Sequence, residues 1–277
     1  MPVKLLIADI YSTNGRAGIV SVGGSRAGDM FTRAVRLHRP DAEISVLTFD
    51  TTSPEMPAPI EAFDGIIWSG SNLTIHRPNP LIEAQIDLAR AVFDSGVPQF
   101  GVCYGIQLAT VAAGGSVVAN PNGPEIGWAR DVTLTDAGRG HPMYRGKVDR
   151  FDALCWHNDT VWELPENAEL LAGNAHSHVQ AAILRRGRGE FWAVQYHLEF
   201  DGREVASLVS GNAPALIAAG ALTEASATAI VGDMNQLAVI AKDPSAAPEE
   251  LRPVVDPLVR TAELGNWLDR VDVLRSR

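Results

Sequence analysis

The 277-residue chain has only two cysteines, Cys103 and Cys155, and no long apolar run. No stretch approaches the roughly 18 apolar residues of a membrane-spanning helix, so the sequence predicts no membrane association. The start of the chain, 1–8, has no charged segment ahead of a long apolar one, which argues against a signal peptide. We therefore predict a cytoplasmic protein, where a disulfide between the two cysteines is not expected.

Basic residues are also scarce. The chain has 23 Lys and Arg against 33 Asp and Glu, a formal net charge of −10, which argues against a nucleic-acid partner held by a basic face. The Gly-rich segment 23–28 lacks the Lys-Ser/Thr of a phosphate-binding loop. His176 and His178 have no Cys or carboxylate at ligand spacing beside them. We therefore predict no metal and no cofactor.

Apolar segments and helical patterns alternate over the first part of the chain, which is typical of βαβ units. Segment 11–15 is predicted to be a loop. The pattern predicts strands at 5–9, 42–47, 63–68 and 97–102, and helices at 27–37, 80–94 and 108–113. We expect an α/β fold with an open, mostly parallel sheet flanked by helices.

The second half divides into a strand-rich part and a helical part. Short strands separated by turns are predicted between 116 and 195, and helices after residue 200. Their predicted ranges are 203–210, 214–219, 223–241 and 257–274. We therefore predict one α/β domain over 1–200 and a helical extension over 201–277 packed on it. The helices could act as a structural cap, a surface for a homodimer, or a lid.

Cys103 lies where a predicted strand turns abruptly into a predicted helix, between Gly101 and Gly105. Small residues on both sides permit a cramped turn that presents one side chain at the carboxyl edge of a sheet, as in a nucleophile elbow. The helix N-terminus that follows favours a thiolate. Cys103 is therefore a candidate nucleophile, whereas Cys155 is predicted to be a small buried side chain.

A cysteine nucleophile needs a base, and the base needs an orienting partner. His197 and Glu199 follow a predicted core strand at 191–195. If that strand continues, their spacing places both side chains on one face. Because ligands bind at the carboxyl ends of strands in open α/β sheets, this pair is the best candidate to complete the site.

Four ordered motifs resemble those of the class I glutamine amidotransferases, in particular the amidotransferase domain of GMP synthetase. The resemblance covers roughly the first 200 residues and includes no synthetase domain. The motifs are Gly101-Val102-Cys103-Tyr104-Gly105-Ile106-Gln107, Gly123-Pro124-Glu125-Ile126-Gly127, Trp156-His157-Asn158-Asp159-Thr160-Val161 with Leu164-Pro165 and Gln180-Ala181, and Gln195-Tyr196-His197-Leu198-Glu199.

The resemblance implies a flavodoxin-like architecture and a Cys103–His197–Glu199 triad that attacks the γ-amide of glutamine. A γ-glutamyl thioester would form, with release of ammonia, and water would hydrolyse it to glutamate. The backbone amides of Ser71 and Tyr104 would form the oxyanion hole. Gly70 and Gln107 would contribute to the substrate pocket.

Two residues depart from the family pattern. Ser71 stands where the family has a functional glycine, and a flipped peptide with positive φ would cost Ser more than Gly. Leu198 replaces a proline. Three functions remain open: a glutaminase whose ammonia goes to a separate synthetase chain, a free-standing hydrolase of N-substituted γ-glutamyl amides or γ-glutamyl peptides, and a non-catalytic binding protein on the same fold.

Overall fold

The computed structural model describes residues 1–276 and contains one large sheet of nine strands. Its order is β2-β1-β3-β4-β11-β10-β9-β6-β7, and a separate ribbon pairs β5 with β8. The strands are β1 (Lys4–Asp9), β2 (Glu43–Thr48), β3 (Gly65–Trp68), β4 (Gln99–Val102), β5 (Ser116–Ala119), β6 (Glu125–Leu134), β7 (Arg150–His157), β8 (Asp159–Glu163), β9 (Glu169–Gly173), β10 (Ala181–Arg186) and β11 (Gly189–Val194).

The sheet has a parallel half and an antiparallel half. Strands β2, β1, β3, β4 and β11 pair in parallel, and β11, β10, β9, β6 and β7 pair antiparallel. Along β1, Leu5 and Ile7 enter one apolar core layer, while Leu6 and Ala8 enter the other. Both faces of the parallel half are thus covered, as its near-continuous apolar strands require. The predicted α/β fold is confirmed.

Ten helices accompany the strands within residues 1–276. They are α1 (Thr13–Ser21), α2 (Ala27–His38), α3 (Pro80–Ser95), α4 (Tyr104–Ala112), α5 (Asp136–Gly140), α6 (Gly202–Ala218), α7 (Glu224–Ile240), α8 (Arg252–Val255), α9 (Pro257–Arg260) and α10 (Ala262–Arg275). In the described part of the chain, none is both long and apolar enough to cross a membrane.

The prediction of a loop over 11–15 was wrong, because α1 begins at Thr13. The helix is capped by Ser12, whose Oγ accepts from the Gly15 amide at 3.1 Å. It contains Gly15 and Gly18 and buries no residue fully, so it carries no apolar stripe to reveal it. Its only sequence signal is the capping serine.

The predicted bounds of two later helical segments were also wrong. The segments predicted as separate helices around 203–210 and 214–219 form the continuous α6, which contains Pro214 in its interior. The predicted helix over 257–274 is broken at Thr261, which has φ −100° and ψ 20°, into α9 and α10. Proline removes one backbone hydrogen-bond donor without necessarily ending a helix. Backbone dihedral angles outside the helical range, as at Thr261, do interrupt the series of helical hydrogen bonds.

Helix α10 packs into the same core layer as the central strands. Trp267 lies with its ring centroid 5.8 Å from that of Phe100, on β4. A Cβ at Gly65 would come within 2.7 Å of the Trp267 ring, so β3 and α10 require glycine to approach this closely. The end of the chain therefore contributes to the core, and a boundary near residue 200 stays a prediction.

A buried ion pair fixes α10 further. Lys147 Nζ lies 2.5 Å from Glu263 Oε1, and their side chains are 1% and 0% exposed. The Tyr196 hydroxyl also donates to Glu263, and the Tyr144 hydroxyl lies 3.0 Å from that of Tyr196. Burial lowers the pKa of Lys147, and the Glu263 carboxylate opposes this effect.

Replacing Lys147 with Met should lower the free energy of unfolding by about 3–5 kcal/mol, because it leaves the Glu263 charge buried without its partner. The measurement is urea denaturation. Adding Glu263→Gln should recover much of the loss. As a control, Arg90→Met in the exposed Arg90–Asp87 pair should change the free energy by less than about 1 kcal/mol. Equal effects at both sites would contradict the prediction.

Candidate active site

Cys103 connects β4 to α4 and has φ 55° and ψ −106°, a backbone conformation that residues other than glycine rarely adopt. Its backbone amide donates to Val194 O at 2.8 Å, which extends the pairing of β4 with β11 by one residue. Cys103 is 5% exposed, and its Sγ lies 3.5 Å from Trp156 O. Such strain in a strand-to-helix turn is the geometry of a nucleophile elbow.

The two glycines beside Cys103 are needed for space. A Cβ at Gly101 would lie 2.5 Å from Phe191 Cε1, on the neighbouring strand β11. A Cβ at Gly105 would lie 3.0 Å from Trp68 O, at the end of β3. The elbow therefore packs tightly against both neighbouring strands, and glycine at these positions lets the turn approach them.

Gly101→Ala should lower the free energy of unfolding by about 1–3 kcal/mol, because the new methyl overlaps the buried ring of Phe191. Thermal or urea denaturation measures the change. Gly232→Ala is the matched control: this position in α7 has nothing within 4 Å of the added Cβ. There the substitution should stabilise by about 0.5–1 kcal/mol through helix propensity. Two losses of similar size would contradict the packing argument.

His197 and Glu199 form a buried pair, with His197 Nδ1 2.7 Å from Glu199 Oε1. Strand β11 ends at Val194, so the strand does not continue through this pair and the two side chains do not meet on one strand face. The pair forms instead in the segment between β11 and α6. The imidazole stacks on Phe200, with ring centroids 3.9 Å apart and an angle of 4° between the planes. The bond at Nδ1 leaves Nε2 available to the Cys103 thiol.

The electrostatic environment favours a protonated imidazole at His197. Burial alone would lower the pKa of His197, but the Glu199 carboxylate and the Cys103 sulfur outweigh it and raise the pKa to about 10. Glu199 Oε2 is buried and makes no hydrogen bond within residues 1–276. The pair can therefore hold a proton close to Cys103 at neutral pH.

Four neighbouring parallel strands deliver the groups around Cys103. Beyond β1, β3, β4 and β11 come Tyr11, Gly70, Cys103 and His197 respectively. A Cβ at Gly70 would lie 3.0 Å from His197 Cε1, 3.5 Å from the Tyr11 hydroxyl and 3.6 Å from Cys103 Cβ. The carboxyl edge of the parallel half therefore gathers these groups in one place.

The loop after β3 differs from the expectation in one respect. Among residues 1–276, positive φ at non-glycine residues occurs only at Cys103 and Asp131, so Ser71 does not carry the strained peptide that its position suggested. Its Oγ donates to Ile10 O at 2.8 Å and accepts from the Leu73 amide at 3.2 Å. Ser71 therefore ties this loop to the end of β1. Tyr104 is the first residue of α4, where backbone amides have no partner inside the helix.

Gln107 lies one helical turn beyond Cys103 and is 3% exposed. Its Nε2 lies 3.3 Å from Asp159 O and 3.4 Å from Gln195 Oε1. The Asp159 carboxylate lies 3.7 Å from His76 Nδ1. Burial raises the pKa of Asp159, while His76 and the nearby Arg77 act to lower it.

A cavity of about 270 Å³ opens beside His197. Helices α1 and α6 contribute a large part of its wall. The residues lining it are Tyr11, Gly15, Gly18, Ile19, Ser71, Asn72, Trp156, His197, Phe200, Leu208 and Asn212. Reasoning from sequence identified only Ser71 and His197 among them as site residues. Leu208 and Asn212 stand about a hundred positions after Cys103 in an ordinary helical pattern, so no sequence signal pointed to them.

Glu125, His157 and Gln180, from the motifs between Cys103 and His197, form a buried polar network. Glu125 Oε2 lies 2.7 Å from His157 Nε2 and 2.8 Å from Gln180 Nε2, and its Oε1 accepts from Asn174 at 2.8 Å. Burial would raise the pKa of Glu125, but His157 and the two amides lower it. This network fixes β7 and the Trp156 carbonyl that faces Cys103.

The histidine pair at 176 and 178 was weighed as a metal site in the sequence. His176 Nε2 instead lies 2.9 Å from Gly123 O. Over the 276 residues described, no three His, Cys, Asp or Glu side chains gather as a metal site would require.

Comparison with known families places the chain among enzymes of one class. A family model described as "Glutamine amidotransferase class-I" matches residues 28–210, more than half of the chain. The chain therefore belongs to the class I glutamine amidotransferases, as its motifs indicated.

Two individual relatives differ in how much of their own length the chain matches. A gamma-glutamyl-L-1-hydroxyisopropylamide hydrolase from a Pseudomonas species is 34% identical over 221 residues, 79% of this chain and 75% of the relative. A glutamine-hydrolyzing GMP synthase from Lactobacillus delbrueckii subsp. bulgaricus is 30% identical over 199 residues, which are 72% of this chain but only 35% of the synthase.

Solved structures show the same fold. A glutamine amidotransferase from Thermotoga maritima superimposes with a TM-score of 0.67 at 18% identity, covering 98% of both chains. A glutamine amidotransferase from Methylobacillus flagellatus gives a TM-score of 0.65 at 23% identity, covering 97% of this chain and 94% of that one. The likeness extends through the C-terminal helices.

Proposed function

We propose that this chain is a free-standing hydrolase of N-substituted γ-glutamyl amides, with Cys103, His197 and Glu199 as its catalytic triad. The observation that carries the proposal is the cavity beside His197, which offers room for a substituent on the leaving nitrogen. Its walls come from the chain's own α1 and α6 rather than from a partner. The relative that hydrolyses a γ-glutamyl hydroxyisopropylamide adds support.

In the first half of the reaction, the Cys103 thiolate attacks the γ-carbonyl carbon and a C–S bond forms. The amides of Ser71 and Tyr104 hold the oxyanion of the tetrahedral intermediate. The imidazolium of His197 then gives its Nε2 proton to the leaving nitrogen, the C–N bond breaks, and the amine departs. Glu199 keeps the ring oriented and stabilises its charged form.

In the second half, water attacks the γ-glutamyl thioester while His197 takes one of its protons. The C–S bond of the second tetrahedral intermediate breaks and glutamate leaves. The electron pair returns to Cys103 as thiolate, and the proton stays on His197. The ion pair present at the start is thereby restored, which agrees with the raised pKa of His197.

The charges on the other side of Cys103 suit the ionised end of a γ-glutamyl group. The Asp159 carboxylate is available for an ammonium, and His76 and Arg77 lie close to it. Gln107 connects this region to the elbow through its bond to Asp159 O. We assign the α-amino and α-carboxylate groups of the substrate to this side, with Gln107 and Gly70 lining the path to Cys103.

A second candidate is a glutaminase that releases ammonia, which the similarity to part of GMP synthase favours. The chain matches only about a third of that synthase's length. This second candidate includes a synthetase partner that would receive the ammonia. Both candidates share the thioester and differ in the group that leaves. The cavity is the reason to prefer the substituted amide, since ammonia needs no such space.

The test is steady-state release of glutamate from glutamine and from γ-glutamyl-propylamide, combined with intact-mass analysis of rapidly acidified reactions. We expect higher kcat/KM for the propylamide and a γ-glutamyl adduct on the peptide containing Cys103. Faster turnover of glutamine than of the propylamide would favour the glutaminase. Turnover without an adduct on Cys103, or no turnover of either compound, would reject the proposal.

A further inference from the structure

We infer that the cavity beside His197 selects γ-glutamyl amides in which the substituent on the leaving nitrogen is small and carries no charged group. We also infer that Asn212 is a specificity-determining residue of this cavity. This inference rests on the proposed function, because it concerns the group that leaves in that reaction. It assigns roles to α1 and α6, which lie outside the sequence motifs of the site.

The cavity lies on the leaving-group side of Cys103. His197 must deliver its proton to the leaving nitrogen, so the substituent on that nitrogen lies beside His197. His197 and Ser71 both line the cavity, whereas Gln107 and Asp159 do not. The γ-glutamyl part and the amine therefore extend in opposite directions from the elbow.

Apart from His197, none of the residues lining the cavity is ionisable near neutral pH. Its walls are aromatic or aliphatic at Tyr11, Ile19, Trp156, Phe200 and Leu208. The polar groups among them are neutral. Among the lining residues, the His197 imidazolium is a cation, but the Glu199 carboxylate already pairs with it at 2.7 Å. An amine bearing a carboxylate, as in a γ-glutamyl peptide, would lose water and gain no unpaired cation there, which is costly for a charged group.

Besides Glu199, the carboxylates that act on the Tyr11 hydroxyl are those of Asp9 and Glu204, which do not line the cavity and already have partners. Asp9 Oδ1 lies 3.3 Å from Arg16 Nη1, and Glu204 Oε1 accepts from the Ser25 amide at 2.7 Å. Together with Glu199 and Cys103 they raise the pKa of the Tyr11 hydroxyl beyond the effect of burial. Because the charged groups that act on the Tyr11 hydroxyl are acidic, an anionic amine is disfavoured most, while a cationic amine finds no carboxylate in the cavity lining. The expected order of preference is neutral, then cationic, then anionic.

Asn212 gives the cavity a polar anchor on α6. Its Nδ2 donates to Leu208 O at 2.8 Å, so Oδ1 is the atom left to accept a hydrogen bond from a substrate. A hydroxyl on the leaving amine could donate to Asn212. The cavity of about 270 Å³ is at the small end for ligand sites, which limits the size of the amine.

The test compares four γ-glutamyl amides of similar length, made from propylamine, 3-aminopropanol, 1,3-diaminopropane and β-alanine. They end in a methyl, a hydroxyl, an ammonium and a carboxylate. We expect kcat/KM for the two neutral amides to exceed the values for both charged ones by about tenfold or more, with the carboxylate slowest. Equal or faster turnover of either charged amide would overturn the inference and leave the hydrolase assignment intact.

Asn212→Asp adds a carboxylate to the cavity without changing the size of the side chain. It should raise kcat/KM for the diaminopropane amide, relative to the propylamide, by about tenfold and mainly through KM. Asn235→Asp is the matched control, because Asn235 is exposed on α7 and does not line the cavity. The same ratio in both variants would reject the role of Asn212. Failure to hydrolyse all four amides would instead reject the proposed function, and with it this inference.

Discussion

Cys103→Ala is expected to lower kcat for γ-glutamyl amide hydrolysis by about 10⁴-fold or more, to the limit of detection. Without the thiol there is no atom to form the thioester, and the remaining groups only bind the substrate and polarise its carbonyl. The measurement is glutamate release at saturating substrate. Substrate binding should persist, since the variant keeps the cavity and the backbone amides of the proposed oxyanion hole.

Cys155→Ala is the control for this experiment. Cys155 lies on β7, is fully buried, and has its pKa raised by that burial, so its thiol stays protonated and inert. Its removal should leave kcat nearly unchanged and cost some stability by leaving a small cavity. Activity that survives Cys103→Ala, or disappears with Cys155→Ala, would contradict the assignment of the nucleophile.

The same position offers a test of backbone strain. Alanine is usually more stabilising than glycine, by about 0.5–1 kcal/mol. At position 103, where φ is 55° and ψ is −106°, the order should reverse. We expect Cys103→Gly to unfold with a free energy about 1 kcal/mol higher than Cys103→Ala. The usual order would show that the elbow is not strained. A reversal would mean that the protein gives up stability to present its thiol.

The parts of the fold that sequence predicted well are those where periodicity and burial coincide. The run from Leu5 is apolar at every position because alternate side chains enter two core layers, so its strand character was plain. Helix α3 combines a capping Asn79 with an apolar stripe and ends at Gly96 in the left-handed conformation. At such places local preference and tertiary packing favour the same structure.

The parts that were missed depend on contacts between distant segments. Helix α1 has no apolar stripe of its own, and Ile19 packs against the core layer that contains α6. The Ser71 side chain bonds to Ile10 O, a contact between two segments that follow the paired strands β3 and β1. Asn212 joins the site because α6 folds back over the sheet edge. None of these relations has a local signal.

The features that sequence analysis missed lie around the cavity beside His197. The sequence motifs located the elbow, the His–Glu pair and Gln107, which belong to the motifs shared with the class I amidotransferases. The wall of the cavity comes largely from α1 and α6, and in the proposed function its residues would be set by the amine that must fit. Residues that carry the chemistry common to a family form recognisable sequence motifs. The residues that shape one pocket are spread along the chain, and none of them has a distinctive sequence pattern.

Glu199→Gln should lower kcat by about 10³–10⁴-fold with little change in substrate binding. The carboxylate bonded to His197 Nδ1 at 2.7 Å fixes the ring and stabilises its protonated form, and an amide does neither as well. Because the carboxylate helps raise the pKa of His197 to about 10, its loss should also move the alkaline limb of the pH–rate profile to lower pH. The measurement is kcat/KM from pH 6 to about 10.5.

The same change should alter how stability depends on pH. A histidine with pKa near 10 in the folded protein and near 6.5 when unfolded binds more protons when folded, so its contribution is full below about pH 6.5 and is lost as pH rises through 10. Glu199→Gln should flatten that decline. Glu125→Gln is the matched control, because Glu125 lies 2.7 Å from His157 in a similarly buried pair and neither residue lines the cavity. It should cost stability yet leave the alkaline limb in place. If the alkaline limb shifts in Glu125→Gln, or does not shift in Glu199→Gln, His197 is not the group that titrates during the reaction.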